Sequence, residues 1–338
     1  MPQVVDIGVD LGTASVVIFG KGRGLLLNEP AVIAVDRTSR NVIAVGAEAR
    51  RMLGRTPGNI IAMRPLQNGT AEDLSLACTM LNTLVKRVTG KHLFNGPRVM
   101  LTLPAGVNDV ERRQIAGALF ESGARRTQII DRPIASAIGS DLKINTAFGS
   151  MIVDVGGGVT EIAVISMGRC IVRETCRIAG DQFDDAIMRY IRRKHNMLIG
   201  ELTAEDVKIN IGSAIQRPDE VYMEVTGRNL ISGLPKALRI YSDEVTDALQ
   251  EPIEALMEKI HGVLEQTPAE LASDIIDNGI VLTGGGGQLF SLREQISRSL
   301  KVDCLMPEEP QLTAARGCAL TLEHWSEFGQ YTGGYRRR

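Results

Sequence analysis

The stretch "VDIGVDLGTASVVIFGKG" at residues 5–22 is repeated in outline by "SMIVDVGGGVTEIAVISMG" at residues 150–168. Both run through an apolar strand, an aspartate, an apolar residue, a glycine with small neighbours, a hydroxyl residue and a second apolar strand. Asp10 and Asp154 hold the equivalent positions. Either copy alone could be an unrelated β-hairpin with a glycine turn. Their agreement over so many positions predicts two duplicated half-domains that face each other across a cleft, where glycine turns offer backbone N–H groups to an anion.

Composition narrows the class of protein. A chain of 338 residues, 44% of them hydrophobic, favours two domains. The formal net charge of −2 and the pI near 6.2 argue against a protein that binds nucleic acid. The 5 cysteines form no C-x-x-C pair and their odd number suits a reducing compartment, so we expect a cytoplasmic protein. The sequence has neither a signal-peptide pattern nor an apolar run long enough to span a membrane.

Strand and helix signals alternate along the chain, which predicts an α/β fold. One helix is expected at residues 107–122, where Asn108 and Glu111 have the spacing of a capping box. Thr203 and Asp206 have the same spacing, and we expect them to begin another helix.

A cleft built from these glycine turns has the residue types that a nucleotide needs. Small residues let the backbone approach a triphosphate, and Asp10 and Asp154 could hold the water shell of Mg²⁺. A third glycine run, "GIVLTGGGGQLF" at residues 279–290, could receive an adenine ring or a ribose. The sequence contains no G-x-x-x-x-G-K-[ST] loop, no H-E-x-x-H motif and no zinc-type spacing of cysteine and histidine. The metal-hydrolase and dehydrogenase classes are therefore excluded.

Three short segments, "DLGTA", "DVGGGVTE" and "LTGGGGQL", together resemble the actin-like ATPase superfamily. Longer segments, among them "GRTPGNI" and "HNMLIGELTAEDVK", look like the bacterial actin MreB family, and the likeness runs from about residue 6 to about residue 322. The resemblance implies an actin-like fold, which is a duplicated ribonuclease H-like fold. Two domains would each hold a mixed five-stranded sheet with helices, and the nucleotide cleft would lie between them.

The resemblance also implies cofactors, partners and a location. The cofactors would be ATP or ADP with Mg²⁺. The chain would bind copies of itself in head-to-tail filaments, paired antiparallel, that organise cell-wall synthesis and cell shape. These filaments would lie in the cytoplasm on the inner face of the cytoplasmic membrane, together with membrane proteins of the cell-wall machinery.

The implied domains divide the chain near its middle. Domain I would cover residues 1–145 with a small insertion at about 30–65, and domain II residues 146–325 with an insertion at about 181–242. We expect the tail at residues 326–338, which ends in the basic "YRRR", to be disordered.

Carried over position by position, the resemblance assigns site residues. The phosphate and magnesium positions are Asp10, Gly12, Thr13, Ala14, Asp154, Gly156, Gly157 and Gly158, with Asp154 and Thr160 also in catalytic positions. The adenosine positions are Glu205, Lys208, Gly284, Gly285 and Gly286. Taken without the family, Glu205 and Lys208 would form a solvated ion pair on one helix face.

The stretch "IIDRPIASAIG" at residues 129–139 departs from the family. Arg132 stands where MreB proteins, with "EEPMAAAIG", carry the glutamate that orients the attacking water. A carboxylate can accept the proton of that water and a guanidinium cannot, so we expect ATP hydrolysis to be slow or absent. Arg132 could instead pair with the γ-phosphate or with Asp131. Before Pro133, Arg132 could also be a helix N-cap without an acceptor, or simply a solvated surface residue.

The loop "TGKHLFNGPR" at residues 89–98 carries the membrane prediction. Leu93 and Phe94 lie among basic neighbours, a combination that suits shallow insertion beneath anionic lipid headgroups. The same two side chains could instead pack into a local core.

Two other functions stay open from the sequence. A small-molecule kinase of the same superfamily would need an aspartate base near the γ-phosphate and a sugar pocket. A non-polymerising nucleotide-binding scaffold would share the glycine loops but would form no filament.

Overall fold

The computed structural model describes residues 5–90 and 96–335, so Leu93 and Phe94 lie outside the described residues. The strands before residue 131 are β1 (Ile7–Leu11), β2 (Ser15–Gly20), β3 (Gly24–Pro30), β4 (Ile33–Asp36), β5 (Val42–Val45), β6 (Ile60–Met63), β7 (Leu66–Gln67), β8 (Thr70–Ala71), β9 (Arg98–Thr102) and β10 (Arg126–Ile130). The helices before residue 140 are α1 (Ala47–Arg50), α2 (Leu74–Thr89), α3 (Asp109–Glu121) and α4 (Arg132–Gly139).

The rest of the described chain alternates in the same way. Its strands are β11 (Ser150–Val155), β12 (Thr160–Ser166), β13 (Arg169–Cys176), β14 (Met197–Leu198), β15 (Tyr222–Asn229), β16 (Pro235–Tyr241), β17 (Ile280–Thr283), β18 (Cys304–Leu305) and β19 (Thr332–Tyr335). Its helices are α5 (Gly180–His195), α6 (Glu201–Ile211), α7 (Ser242–Glu265), α8 (Ala269–Asn278), α9 (Leu292–Leu300), α10 (Thr313–Glu323) and α11 (Trp325–Phe328). Single 3₁₀ turns lie at Gly286–Gln288, Pro310–Leu312 and Gly329–Tyr331.

The two central sheets share one topology. The first contains the order β3, β2, β1, β9, β10, and the second has the order β13, β12, β11, β17, β18. In both, the first strand of the repeat pairs antiparallel with the next strand and parallel with a later one. Asp10 accordingly lies opposite Thr102, as Asp154 lies opposite Thr283. The predicted α/β class and the predicted duplication are both confirmed.

The first sheet has a sixth strand, β19, at its edge. β19 pairs antiparallel with β10 and covers backbone groups that an open sheet edge would leave unpaired. Just before it, Trp325, Phe328 and Tyr331 pack against the buried cluster between the two sheets. The prediction of a disordered tail is therefore wrong for residues 326–335, and the expected five-stranded first sheet has six strands.

Each half carries a small additional sheet. The order β5, β4, β6 lies within the first half, next to α1, and the order β14, β15, β16 lies within the second half, next to α5 and α6. Both sheets fall inside the ranges expected for insertions. The domain boundaries themselves stay a prediction.

Helices α4 and α10 cross with their backbones in contact. A Cβ on Gly139 would lie 1.9 Å from the carbonyl oxygen of Thr313, and a Cβ on Gly317 would lie 1.8 Å from the carbonyl oxygen of Ala135. Neither position accepts a side chain without moving a helix. The crossing therefore fixes α4, which begins at Arg132, in its position relative to α10.

The first residues of α3 and α6 test the two helix-capping predictions. The capping box of α3 is confirmed, because the Asn108 side chain accepts from the Glu111 N–H and Glu111 accepts from the Asn108 N–H. The predicted cap at Thr203 and Asp206 is wrong, because α6 begins two residues earlier, at Glu201.

Candidate functional site

Two glycine turns meet between the central sheets. One follows β1 at residues 12–15 and the other follows β11 at residues 156–159. In both turns a glycine N–H donates to the carbonyl oxygen three residues later, over 2.9 Å from Gly12 and 3.0 Å from Gly156. The turns are in contact, since a Cβ on Gly157 would lie 2.6 Å from the Cβ of Ala14. Small residues here leave both backbones accessible to a ligand.

The third glycine run packs beside the second turn. Gly284 has φ +84°, a left-handed conformation that favours glycine. A Cβ on Gly286 would lie 2.8 Å from the carbonyl oxygen of Gly156. The strand end of β17 therefore brings its loop against the loop that follows β11.

The three loops enclose a cavity of about 690 Å³. That volume is within the range of about 300–1,000 Å³ that is usual for small-molecule sites. The sequence-predicted residues that line it are Asp10, Gly12, Thr13, Ala14, Arg132, Asp154, Gly156, Gly157, Gly158, Glu205, Lys208, Gly284, Gly285 and Gly286. The structure brings this set together, and the individual roles stay predictions.

Thr160 does not join this set. Its hydroxyl donates to the carbonyl oxygen of Ile178 over 2.5 Å, and its side chain is fully buried in β12. The preceding residue, Val159, lines the cavity instead. In this structure the Thr160 hydroxyl is engaged by the backbone of Ile178, and its catalytic role stays a prediction.

Arg132 lies at the floor of the cavity. The N-cap of α4 is Asp131, so Arg132 is the first helical residue and not the cap. Its relative exposure is 7%, which rules out the solvated surface position. A Cβ on Gly12 would lie 3.5 Å from its Nη2, and a Cβ on Gly156 would lie 3.8 Å from its Nη1. The guanidinium therefore lies between the two glycine turns.

We call Asp10, Arg132, Glu161 and Arg173 the floor cluster. Nη2 of Arg132 donates to Oδ1 of Asp10, and its Nε lies 4.0 Å from Oε1 of Glu161. Arg173 donates to the other oxygen of Glu161 over 3.0 Å. Since Asp10 belongs to β1 and Glu161 to β12, the cluster links the two halves of the molecule.

Burial dominates the electrostatics of the floor cluster. It raises the pKa of Asp10 to about 6, against the lowering effect of Arg132. Burial likewise raises the pKa of Glu161, although Arg132 and Arg173 oppose it. Burial alone would lower the pKa of Arg132, but the nearby carboxylates raise it, so the guanidinium keeps its charge.

Asp154 is held by the same helix that carries Arg132. The hydroxyl of Ser136, one turn into α4, donates to Oδ2 of Asp154 over 2.5 Å. Within residues 5–90 and 96–335, no group of three or more His, Cys, Asp and Glu side chains is arranged to hold a metal ion.

Glu205 and Lys208 both line the cavity but do not pair with each other. Lys208 donates to Asp184 over 2.9 Å and to the carbonyl oxygen of Gly180 over 3.1 Å. Burial raises the pKa of Asp184 to about 7, while Lys208 opposes that rise. Glu205 accepts from Arg50 over 2.6 Å. The solvated helix ion pair is therefore wrong for both residues.

Glu205 belongs to a second ionic group, the mouth cluster, which consists of Arg50, Arg64, Asp181, Glu201 and Glu205. Arg64 lies 2.9 Å from Asp181, 3.1 Å from Glu201 and 3.9 Å from Glu205. Both arginines come from the first half and the three carboxylates from the second. The mouth cluster therefore joins the two halves at the outer end of the cavity.

Sequence reasoning missed an arginine–aromatic pair at the adenosine end. The guanidinium of Arg217 lies 4.1 Å from the ring centroid of Phe290, and both residues line the cavity. Phe290 ends the third glycine run, so its position in the motif was a usable signal. Arg217 belongs to no short motif, and only the fold brings it there.

None of the helices in the described part of the chain is long and apolar enough to cross a membrane.

Comparisons with known proteins agree with one another. The family model described as "MreB/Mbl protein" matches residues 4–330. The chain is 42% identical over 319 residues to cell shape-determining protein Mbl of Bacillus subtilis, covering 94% of this chain and 96% of that protein. It is 43% identical over 323 residues to cell shape-determining protein MreB of Escherichia coli, covering 94% of this chain and 93% of that protein.

Solved structures match over nearly the whole chain as well. MreB 5 of Spiroplasma citri bound to AMPPNP has a TM-score of 0.90 at 32% identity, covering 98% of this chain and 99% of that one. A second crystal structure of that protein is bound to ADP, with the same TM-score of 0.90. The MamK double helical filament has a TM-score of 0.80 at 20% identity, which shows a shared fold. The predicted actin-like fold is confirmed.

Proposed function

Because this chain belongs to the MreB/Mbl family of cell shape-determining, actin-like proteins, we propose that it binds ATP or ADP in the cavity and polymerises into filaments at the membrane. The observation that carries nucleotide binding is the convergence of three glycine loops on one cavity of about 690 Å³. The relative MreB 5 bound to AMPPNP and to ADP supports the choice of an adenine nucleotide.

The two ends of the cavity suit the two ends of a nucleotide. Phosphates bind between the two glycine turns, where backbone N–H groups and the Arg132 guanidinium are close. The purine binds near Phe290 and Arg217, which together offer apolar and π surface.

Hydrolysis is slow or absent in this proposal. Arg132 cannot accept a proton from water, and the carboxylates around it are already engaged by Arg132, Ser136 and Arg173. Loss of a general base commonly lowers the rate by about 10²–10⁴-fold.

Phosphate release under polymerising conditions tests this point, with Bacillus subtilis Mbl run beside the chain. We expect the chain to release phosphate at least about 100-fold more slowly than a family member with the glutamate. Arg132→Glu should gain activity. Phosphate release at the rate of a family member that carries the glutamate would contradict the proposal that hydrolysis is slow or absent.

Filament formation is the second part of the proposal. Open head-to-tail contacts between identical subunits give filaments, and we propose that this chain pairs two such strands antiparallel. Negative-stain microscopy with ATP and Mg²⁺ tests it, because long paired protofilaments are expected. Nucleotide binding without filaments would instead favour the non-polymerising scaffold. A kinase is disfavoured, since Asp10 and Asp154 at the phosphate end are both hydrogen-bonded to α4.

We also propose that these filaments lie in the cytoplasm on the inner membrane face, beside membrane proteins of the cell-wall machinery. The loop with Leu93 and Phe94 provides weak contacts that a filament multiplies by avidity. Co-sedimentation with anionic vesicles tests this, and Leu93→Ser with Phe94→Ser should stay in the supernatant. A variant that pellets like the unchanged chain removes the loop from the proposal.

Mg²⁺, the other expected cofactor, does not fit the donors of this site. Oδ1 of Asp10 is taken by the positive guanidinium of Arg132, and Oδ2 of Asp154 by the hydroxyl of Ser136. Each carboxylate keeps one oxygen outside these hydrogen bonds, but a hard dication that takes octahedral oxygen donors is repelled by the fixed guanidinium beside Asp10.

A further inference from the structure

We propose that the guanidinium of Arg132 takes the place of the divalent cation in this chain, so that ATP and ADP bind without Mg²⁺. The inference rests on the proposed nucleotide site and specifies how that site neutralises the phosphates. Four features of the described residues support it.

The guanidinium lies where phosphates are expected. Its Nη2 is on the side of Gly12 and its Nη1 on the side of Gly156, the first glycines of the two turns. A phosphate group between these turns is within reach of the planar guanidinium fork, which suits two parallel hydrogen bonds to phosphate oxygens.

The guanidinium also has donors to spare. Asp10 engages Nη2, while Nη1, on the side of Gly156, makes no hydrogen bond to a described residue. The buried Nε also lacks a hydrogen bond among the described residues, but it faces Glu161 at 4.0 Å. An arginine carries five N–H donors, and a buried donor without an acceptor is costly. An oxyanion between the two turns supplies acceptors to this side of the cavity.

The fold holds the positively charged guanidinium of Arg132 in place at the site. Arg132 opens α4, and α4 crosses α10 with no side chain between Gly139 and Gly317. Asp10 and Glu161 hold the guanidinium from the two halves of the molecule. A cation arriving at Asp10 would have to displace a positive charge that the fold fixes in place.

The two aspartates that the family resemblance assigns to the water shell of the metal are both hydrogen-bonded to α4. Arg132 holds Asp10 and Ser136 holds Asp154, and both donors are on the first turn and a half of α4. Helix α4 thus supplies the positive charge and engages one oxygen of each carboxylate. A purely structural ion pair is the competing explanation, and it predicts that nucleotide binding still depends on Mg²⁺.

Equilibrium binding of ADP to the full chain, by calorimetry in Mg²⁺ and in EDTA, separates these explanations. ADP is preferred because it chelates free Mg²⁺ less tightly than ATP does. We expect the two dissociation constants to agree within about tenfold, which is about 1.4 kcal/mol. Bacillus subtilis Mbl, run in parallel, should lose more than that in EDTA.

A loss of more than about tenfold in EDTA overturns the inference while leaving nucleotide binding intact. Absence of binding in both buffers contradicts the proposed function itself and overturns the inference with it. The unchanged chain therefore gives a decisive answer before any variant is made.

Variants assign the effect to Arg132. Arg132→Gln keeps much of the shape but not the charge, and Arg132→Glu restores the family carboxylate. Both should bind ADP well in Mg²⁺ and more than about tenfold more weakly in EDTA. Arg217→Gln, which removes a guanidinium from the other end of the cavity, should weaken binding equally in both buffers. An Arg132 variant that folds, as judged by circular dichroism, and keeps the unchanged ratio overturns the inference.

Discussion

The floor cluster and the mouth cluster both join the two halves of the molecule, but they differ in burial. Side-chain exposure is 8% for Arg132, 8% for Asp10 and 1% for Glu161, with Arg173 at 31%. In the mouth cluster it is 10% for Arg64 and between 20% and 51% for the other four members. Charges at the floor are held in one arrangement with no water to replace a lost partner. Charges at the mouth can exchange partners with water and salt. Arg132, Asp10 and Glu161 therefore form the more deeply buried link between the halves, while most side chains of the mouth cluster are accessible to solvent.

The largest expected effect comes from removing the floor cation. Arg132→Met leaves Asp10 and Glu161 buried near each other without the guanidinium between them. We expect the free energy of unfolding to fall by about 3–5 kcal/mol, measured by urea denaturation at neutral pH. The double variant Arg132→Met, Asp10→Asn should recover part of the loss, because one unpaired charge is gone. A loss below about 1 kcal/mol would place the floor cluster in the same class as a surface pair.

An intermediate effect is expected for Asp184, which accepts a hydrogen bond from Lys208 and is 3% exposed. Because burial raises the pKa of Asp184 from 3.8 to about 7, the folded state binds this proton more tightly than the unfolded state. Its contribution to stability is full at pH values below the unfolded pKa of 3.8 and is lost as the pH rises to about 7.

Asp184→Asn removes this titration. Between about pH 5 and pH 8, the unchanged chain should lose about 2 kcal/mol of unfolding free energy relative to the variant. Denaturation curves of both proteins at the two pH values provide the measurement. Parallel pH profiles would mean that Lys208 keeps the Asp184 carboxylate charged throughout.

The smallest effect is expected at the mouth. Arg50→Gln breaks the contact with Glu205, in which both side chains are partly exposed. We expect a loss of about 0.5 kcal/mol at low ionic strength that disappears in about 1 M NaCl. The Arg132→Met loss should persist in the same salt. If salt reduced the loss of unfolding free energy equally in the two variants, the floor cluster and the mouth cluster would not differ in their accessibility to solvent.

Local patterns in the sequence were sufficient to predict most of the fold. The repeated strand, glycine turn and strand, and the capping box at Asn108, depend on residues that are close in the chain, and both were predicted correctly. The glycine loops of the cavity follow from the same repeat. Val159, just before β12, lines the cavity, whereas the Thr160 hydroxyl donates to the carbonyl oxygen of Ile178, a contact that the sequence alone does not supply.

Long-range contacts explain what sequence reasoning could not supply. From local sequence alone, Arg132 would be a helix N-cap without an acceptor. In the fold, β1 and β12 place Asp10 and Glu161 beside its guanidinium. Glu205 and Lys208 have helix spacing that suits a mutual pair, yet each has a stronger partner on another element. Residue spacing within α6 cannot predict partners that lie on other elements.

The position of β19 bears on the order in which the chain can fold during synthesis. β19 completes the edge of the sheet that begins at β1, and α10 packs against β1 and α4. Both segments leave the ribosome after the entire second half. The first half therefore keeps an open strand edge and an uncovered sheet face until residues 313–335 have been synthesised. Although the molecule is built from a duplication, the sheet of its first half is completed by segments that follow the second half. We expect a ribosome-stalled chain lacking α10 and β19 to expose an aggregation-prone edge.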